Sequence, residues 1–343
     1  MKKVVVIGHL DWQGNSIIGA VVKARSIFKE LRNQLGEESV GSVDIYGWKK
    51  RKIKVVLELL MAFAGYRNVV LVCSETSKIL MRMFSGLKTV FHNKISYCVV
   101  GGVIAETLSK YPDRIHVVKC VDCFYVETMD CVEGLCELGL SAKLLRNFKC
   151  IRPLNYSDLE LTKSEPYRFC TFSRVVEEKG ITDAIIAVDT INKKYGRDVC
   201  CLDIYGLIEP GYKETFYRLL KEHRQAKYCG VVSAEESVEI LRNYYCLLFP
   251  TKYQTEGIPG TIIDGFAAGL PVICSDWIRC RQLVEDGYNG LIYPFGSFDG
   301  LIEKMQFAVE HPENIRKLKA NSLSSFSLYQ AENAILPLIS GLQ

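Results

Sequence analysis

Residues 251–271 read TKYQTEGIPGTIIDGFAAGLP, and the fold is decided in this stretch. Gly257, Pro259 and Gly260 make a turn that lets the backbone approach whatever lies above it. Thr261 follows as a candidate N-cap, and IIDGFAAG continues as a helix until Gly269 and Pro271 stop it. The first N–H groups of a helix have no intrahelical partner, so this turn, with Ile258 at its centre, offers a seat for phosphate. Glu256 stands just ahead of the seat, and Asp264, eight residues later, lies one turn into the helix. Placed on either side of a phosphate group, one acid can face a hexose and the other a ribose. The same residues also describe an ordinary loop-to-helix junction with a chance pair of acids.

A second turn changes that balance. The apolar run at 167–172 reads as a buried strand and the run at 181–188 as a helix. Between them, Arg174 and Lys179 flank a turn. Two fixed cations suit a diphosphate that gains charge as it departs, although loop cations are also commonly just solvated.

Taken together, SRVVEEKG, TEGIPGTIIDGFAAGLPV and EDGYNGLIYP resemble the retaining glycosyltransferases of family 4, most of all its bacterial polysaccharide-assembly members. The resemblance covers residues 165–300 well and the earlier part weakly. It implies an α/β architecture of the GT-B type, two Rossmann-like doubly wound parallel-sheet domains facing a cleft. By the same likeness Arg174 and Lys179 bind the donor diphosphate, and Glu256 holds the transferred sugar and supports charge at its anomeric carbon. Asp264 would bind the ribose hydroxyls, and Gly257, Ile258, Pro259, Gly260 and Thr261 would line the donor. The family usually has glutamate at the second acidic position; aspartate keeps the charge on a side chain one methylene shorter. Family members also commonly carry a donor-contacting histidine after a middle strand of the first domain, where this chain has Val100, Gly101 and Gly102. The leaving phosphate is thought to act as the base in such transferases, so this departure need not abolish activity.

The implied substrate is a nucleoside diphosphate sugar, with UDP or GDP as the nucleotide, and neither cofactor nor metal is called for. The acceptor is a saccharide or a lipid-linked saccharide. The readings that compete are a nucleotide-sugar epimerase on the same fold and a non-catalytic partner of an active transferase.

Length and composition fit. A chain of 343 residues exceeds what one core normally sustains, so two domains are expected. The boundaries fall at 1–155, 156–324 and 325–343, the last segment reading as a helix that the family resemblance implies crosses back to the first domain. Strands are predicted at 4–8, 42–46, 68–73, 96–100 and 124–126, and again at 168–173, 201–206, 245–250, 272–275 and 290–293, alternating with helices. The stretch KYCGVVSAEESVEILRN adds a short strand, a turn and a capped helix where the family places the nucleotide base. After the first strand, the glycines at 8, 14 and 19 match neither the dinucleotide fingerprint nor the Walker pattern, which disfavours NAD or ATP. In the resembled family the corresponding loop faces the donor phosphates and the acceptor, which makes Gly14 and Asn15 its donor-facing candidates, while His9, Asp11 and Trp12 could line an acceptor pocket or simply pack on their own domain.

The fourteen cysteines are scattered through apolar runs and read as reduced thiols. Cys120 and Cys123 form a CxxC, but the intervals to Cys131 and Cys136 match no zinc ribbon or finger. No secretory signal and no apolar run of membrane-spanning length is apparent, so a cytoplasmic location is expected. Residues 1–155 carry 23 Lys and Arg against 14 Asp and Glu, and the remainder 20 against 25. The basic half includes KKRKIK at 49–54, followed by VVLELLMAFAG. That pattern can rest on an anionic membrane face or be a solvated helix start with a core face behind it. A net charge of +4 without a recognition module argues against nucleic acid as a partner.

Overall fold

The computed structural model describes residues 2–14, 19–73, 78–101, 103–160 and 164–342. It separates into two compact units, Met1–Cys150 with Leu328–Gln343, and Ile151–Ser327.

The first unit begins β1 (Lys2–Gly8), α1 (Gly19–Leu35), β2 (Val40–Asp44), α2 (Lys52–Gly65), β3 (Tyr66–Cys73) and α3 (Lys78–Phe91). It continues β4 (Lys94–Val99), α4 (Ile104–Lys110), α5 (Ile115–Val118), β5 (Cys123–Val126), α6 (Met129–Glu137) and β6 (Ala142–Leu144). All pairings are parallel, in the order β2-β1-β3-β4-β5-β6. Alternation along the strands fills both faces. Val4, Val6, Val70 and Val72 join Ala24, Ile27 and Leu31 of α1 in one core. Val5, Ile7, Val69 and Leu71 pack with α2 and α3 in the other. Sheets covered on both faces need this near-continuous Val/Ile/Leu composition.

The second unit runs β7 (Tyr167–Phe172), α7 (Ile181–Tyr195), β8 (Cys200–Tyr205), α8 (Lys213–Glu222), β9 (Ala226–Gly230) and α9 (Ser237–Leu241). It goes on through β10 (Cys246–Phe249), α10 (Gly260–Ala267), β11 (Val272–Ser275), β12 (Gly290–Tyr293), α11 (Phe298–Glu310) and α12 (Pro312–Ser325). Its strand order is β12-β11-β10-β7-β8-β9, again all parallel. Counted within the unit, the first strand lies beside the fourth, the order of the doubly wound dinucleotide-binding fold. Two short helices, α13 (Ala331–Ala334) and α14 (Leu336–Gly341), close the chain within the first unit.

Three local expectations are corrected. The second strand ends at Asp44, not residue 46, because the Asp44 carboxylate accepts hydrogen bonds from the N–H groups of Tyr46 (2.9 Å) and Leu10 (3.0 Å), turning the chain. A sixth strand, β6, is added at the sheet edge by only three residues, too few to show a period in the sequence. The single C-terminal helix over 325–342 is broken into a 3-10 turn (Phe326–Tyr329), α13 and α14. Pro337 at the start of α14 has no N–H to continue the preceding helix.

Candidate functional site

In an open parallel sheet, ligands bind outside the carboxyl ends of the strands where the strand order reverses. In the second unit that point lies between β7 and β10, which pair through Phe169–Cys246 and Cys170–Leu247. The two loops leaving these strands are held together. Lys252 N–H donates to the Glu178 carbonyl at 2.8 Å, and Gly180 sits at φ +70° with the Pro250 carbonyl pressed against it. A side-chain carbon at 180 would collide with that oxygen, so the close approach requires glycine.

This approach brings together two residues 77 positions apart. The Lys179 ammonium donates to Glu256 Oε2, and the two side chains are only 11% and 18% exposed. The Thr251 hydroxyl donates to the same oxygen at 3.3 Å. Lys179 Nζ also lies 5.2 Å from the centroid of the Phe249 ring and 5.3 Å from that of Tyr253. An ammonium against two aromatic faces and a carboxylate is well stabilised while largely removed from water. Thr251 is fixed in turn: its hydroxyl accepts from Tyr253 N–H at 3.2 Å and its carbonyl accepts from Ser275 at 2.7 Å. Trp277 Nε1 donates to the Gly257 carbonyl at 3.3 Å, tying the glycine turn to the loop after β11.

A second cluster stands beside this centre. Lys252 bonds Glu177 at 2.8 Å and Asp183 at 3.0 Å, and Glu177 also accepts from Thr182. Burial alone would raise the Glu177 carboxyl, but the bonds from Lys252 and Thr182 overcome it and hold the group below the ordinary carboxylate value. Arg174 is placed differently from Lys179. It is exposed, and its guanidinium lies 3.7 Å from Glu209 instead of joining the Lys179–Glu256 pair.

The glycine turn leads into α10 with Pro259 as the N-cap residue. The expectation that Thr261 caps this helix is corrected: the helix begins at Gly260, and the Thr261 hydroxyl donates to the Phe172 carbonyl at the end of β7. That carbonyl ends a strand, and the hydroxyl satisfies it. Ile258 and Pro259 are buried, while Gly257 and Gly260 keep partial exposure. Gly269, at φ +63°, ends the helix as the sequence indicates, with Leu270 N–H donating to the Gly265 carbonyl at 2.8 Å. Asp264 is 2% exposed, and its Oδ1 accepts from the Ser237 hydroxyl at 3.3 Å, linking α10 to α9.

In the first unit, Gly14 closes a tight loop after β1. Its N–H donates to the Asp11 carbonyl at 3.1 Å, and its own carbonyl accepts from Arg25 at 3.0 Å. Arg25 also bonds Leu10 O at 2.7 Å and lies 6.0 Å from the Trp12 ring, which packs on Phe28. Asn15 lies outside the described residues, as does Gly102, whereas Gly101 has φ +99° and open space around it. Burial lowers the His9 imidazole from its usual value, with Asp44 opposing the shift. Cys120 and Cys123 pack in the cores on opposite sides of the sheet, which keeps the CxxC thiols apart. Among the described residues, no group of three or more His, Cys, Asp or Glu is placed to hold a metal ion.

Residues 157–324 match the family model of glycosyl transferases group 1. The matched stretch lies within the second unit. Over the whole chain the fold is GT-B, shared with solved glycosyltransferases. The Anabaena protein Alr3699/HepE in complex with UDP and glucose matches with a TM-score of 0.75 at 11% identity, covering 100% of this chain and 99% of that one. Sucrose-phosphate synthase from Thermosynechococcus elongatus matches at 0.74 and 14% identity, covering 99% and 98%. The pneumococcal O-GlcNAc transferase GtfA, in complex with UDP and GlcNAc, matches at 0.66 and 18% identity, covering 85% of this chain and 60% of that chain. A search of curated proteins finds no match.

Sequence reasoning on the second unit missed Thr251, Tyr253 and Trp277, which fix the Glu256 loop. The only signal for them was their position just beyond the carboxyl ends of β10 and β11. It missed the Lys252–Glu177–Asp183 cluster as well, because loop charges read as solvated.

Proposed function

We propose that this chain transfers a sugar from a nucleoside diphosphate sugar to a saccharide or lipid-linked saccharide acceptor, with retention and without a required metal, in bacterial surface polysaccharide assembly. The observation that carries this reading is the Lys179–Glu256 pair at the strand-order reversal beside the α10 N-terminus, inside the matched domain. The complexes of Alr3699/HepE hold UDP, glucose or UDP-glucose, which favours UDP as the nucleotide and a hexosyl group as the one transferred. A lipid-linked acceptor would bring the protein to the cytoplasmic face of a membrane.

The geometry suggests a division of labour. Without donor, the two charges neutralise each other. A bound diphosphate competes for the Lys179 ammonium, and its negative charge grows as the bond from the anomeric carbon to the phosphate oxygen breaks. As Lys179 turns towards that charge, Glu256 is released to face the anomeric carbon, which becomes positive. The acceptor hydroxyl adds to that carbon, and its proton passes to the departing phosphate. Arg174, at the rim, would reach the diphosphate by exchanging Glu209 for it. Gly257, Ile258, Pro259, Gly260 and Thr261 would supply backbone contacts and Asp264 the ribose contact.

Turnover is the test, measured with UDP- and GDP-sugars and a saccharide acceptor. Glu256→Ala should lower transfer about 100- to 1,000-fold with thermal unfolding still cooperative; wild-type turnover would defeat the assignment. Incubation with donor alone separates an epimerase, which would convert the donor without acceptor. Thermal stabilisation by UDP, GDP, ADP and TDP names the base: a nucleotide at a hundred times its Kd adds about 2.7 kcal/mol. Stabilisation by none of the four, together with no turnover, would favour a non-catalytic partner.

A further inference from the structure

We propose that α2 docks the first unit onto an anionic lipid bilayer. The helix is apolar on two sides. Val55, Leu59, Ala62 and Phe63 are buried against the sheet. Ile53, Val56, Leu57, Leu60 and Met61 are exposed, Ile53 at 81% and Met61 at 66%. At about 100° per residue these five occupy an arc of roughly 140° on the side away from the sheet. α3, which packs beside α2 over the same sheet face, also exposes Ile79 and Val90. A surface helix ordinarily presents polar side chains there, and a contiguous apolar face marks a docking surface.

Charge selects the occupant. Lys49, Lys50 and Lys52 are exposed at the start of the helix. Lys54 stands about 100° from Ile53 around the helix axis, just beyond Met61 at one edge of the apolar stripe, while Lys49, Lys50 and Lys52 lie at its N-terminal end. Arg51 is engaged by the carbonyls of Tyr46 (2.6 Å) and Asp44 (3.3 Å), and Lys54 lies 3.8 Å from Glu58. The cationic collar is therefore led by Lys49, Lys50 and Lys52. An apolar stripe headed by exposed lysines matches a helix lying in the plane of a membrane interface, its apolar face among the acyl chains and its ammonium groups at the level of anionic headgroups.

The test is flotation of the full chain with phosphatidylglycerol–phosphatidylcholine vesicles and with pure phosphatidylcholine vesicles, without sugar nucleotide, so that the result is independent of transfer activity. Flotation is expected with the anionic vesicles only. Each lysine near an anionic surface contributes about fivefold, so Lys50→Gln with Lys52→Gln should lower the partition coefficient about 30-fold. Leu57→Gln with Met61→Gln should abolish flotation, and these exposed positions should leave the thermal unfolding midpoint unchanged. The proposal is overturned by absence of flotation, by equal binding to neutral vesicles, or by binding that survives Leu57→Gln with Met61→Gln. It is also overturned by a dimer in size-exclusion chromatography that this double variant turns into a monomer, which would assign the face to a second copy of the chain.

Discussion

Removing the charge of Lys179 should cost more while Glu256 is present than after Glu256 has been neutralised. Lys179→Met leaves the Glu256 carboxylate, 18% exposed, with the Thr251 hydroxyl at 3.3 Å as its remaining hydrogen-bond donor among the described residues. An uncompensated charge at this depth should cost about 3 kcal/mol. Glu256→Gln leaves the ammonium between the Phe249 and Tyr253 rings, which retain part of its stabilisation, so about 2 kcal/mol is expected. With both charges removed neither ion of the pair remains, and the double variant should lose only about 2 kcal/mol, a coupling of about 3 kcal/mol. Thermal unfolding of the second unit reads this out through Trp277, because the other two tryptophans, Trp12 and Trp48, belong to the first unit and can be replaced by phenylalanine. Trp277 is buried and bonded to Gly257, so its emission reports the loop in question. For a unit of this size each kcal/mol moves Tm by about 2–4 °C, so Lys179→Met should fall about 6–12 °C. A double variant whose loss equals the sum of the singles within about 0.5 kcal/mol would refute the pairing.

Glu256→Gln should bind UDP more tightly than wild type while transferring less, since it frees Lys179 for the diphosphate; calorimetry showing weaker UDP binding would contradict the proposed hand-over. Gly180→Ala should destabilise the second unit by about 3 kcal/mol through its left-handed backbone and the collision with the Pro250 carbonyl, and a loss under about 1 kcal/mol in the same Trp277 assay would show that the loops can part cheaply. The depressed Glu177 carboxyl gives stability that is fully present above its unfolded value near pH 4.5 and lost as pH falls through the lower folded value. Lys252→Ala should flatten this acid limb of the Tm profile, and an unchanged limb would discard the cluster as its cause. His9, lowered by burial, should show an NMR titration midpoint below 6.5, with its stabilising contribution lost on acidification from that value; a midpoint above 6.5 would contradict its placement.

The parallel alternation was legible because buried strands such as VVVIG and VVLVC are nearly continuous apolar runs, and turn glycines punctuate them. Short or side-chain-driven features were not. Nothing in the sequence tells that the Asp44 carboxylate ends β2, or that the Thr261 hydroxyl serves β7 instead of its own helix. The chemical types at Lys179 and Glu256 pointed to a charged ligand, but not to their direct bond, because 77 residues separate them. In α2 the apolar composition was plain and its exposure was not, since a helix apolar all round ordinarily reads as buried.

That bond is a consequence of strand order more than of local sequence. Adjacent strands lie about 4.8 Å apart, so strands laid down in sequence order would put β7 and β10 about 14 Å from each other. At that distance the loops after them could not share an ion pair, and Glu178 could not accept the Lys252 N–H at 2.8 Å. The doubly wound order places β10 directly beside β7, and because the two strands are parallel both loops leave the same edge of the sheet. The helix after each strand then starts close to the other loop, so the α10 N-terminus and the Lys179 ammonium lie on the same edge. In the proposed reading a diphosphate uses both at once, a row of backbone N–H groups and a fixed cation. Rearranging the strands would keep every residue of the motif and lose the site, which is why the motif has meaning only together with the alternation of strands and helices around it.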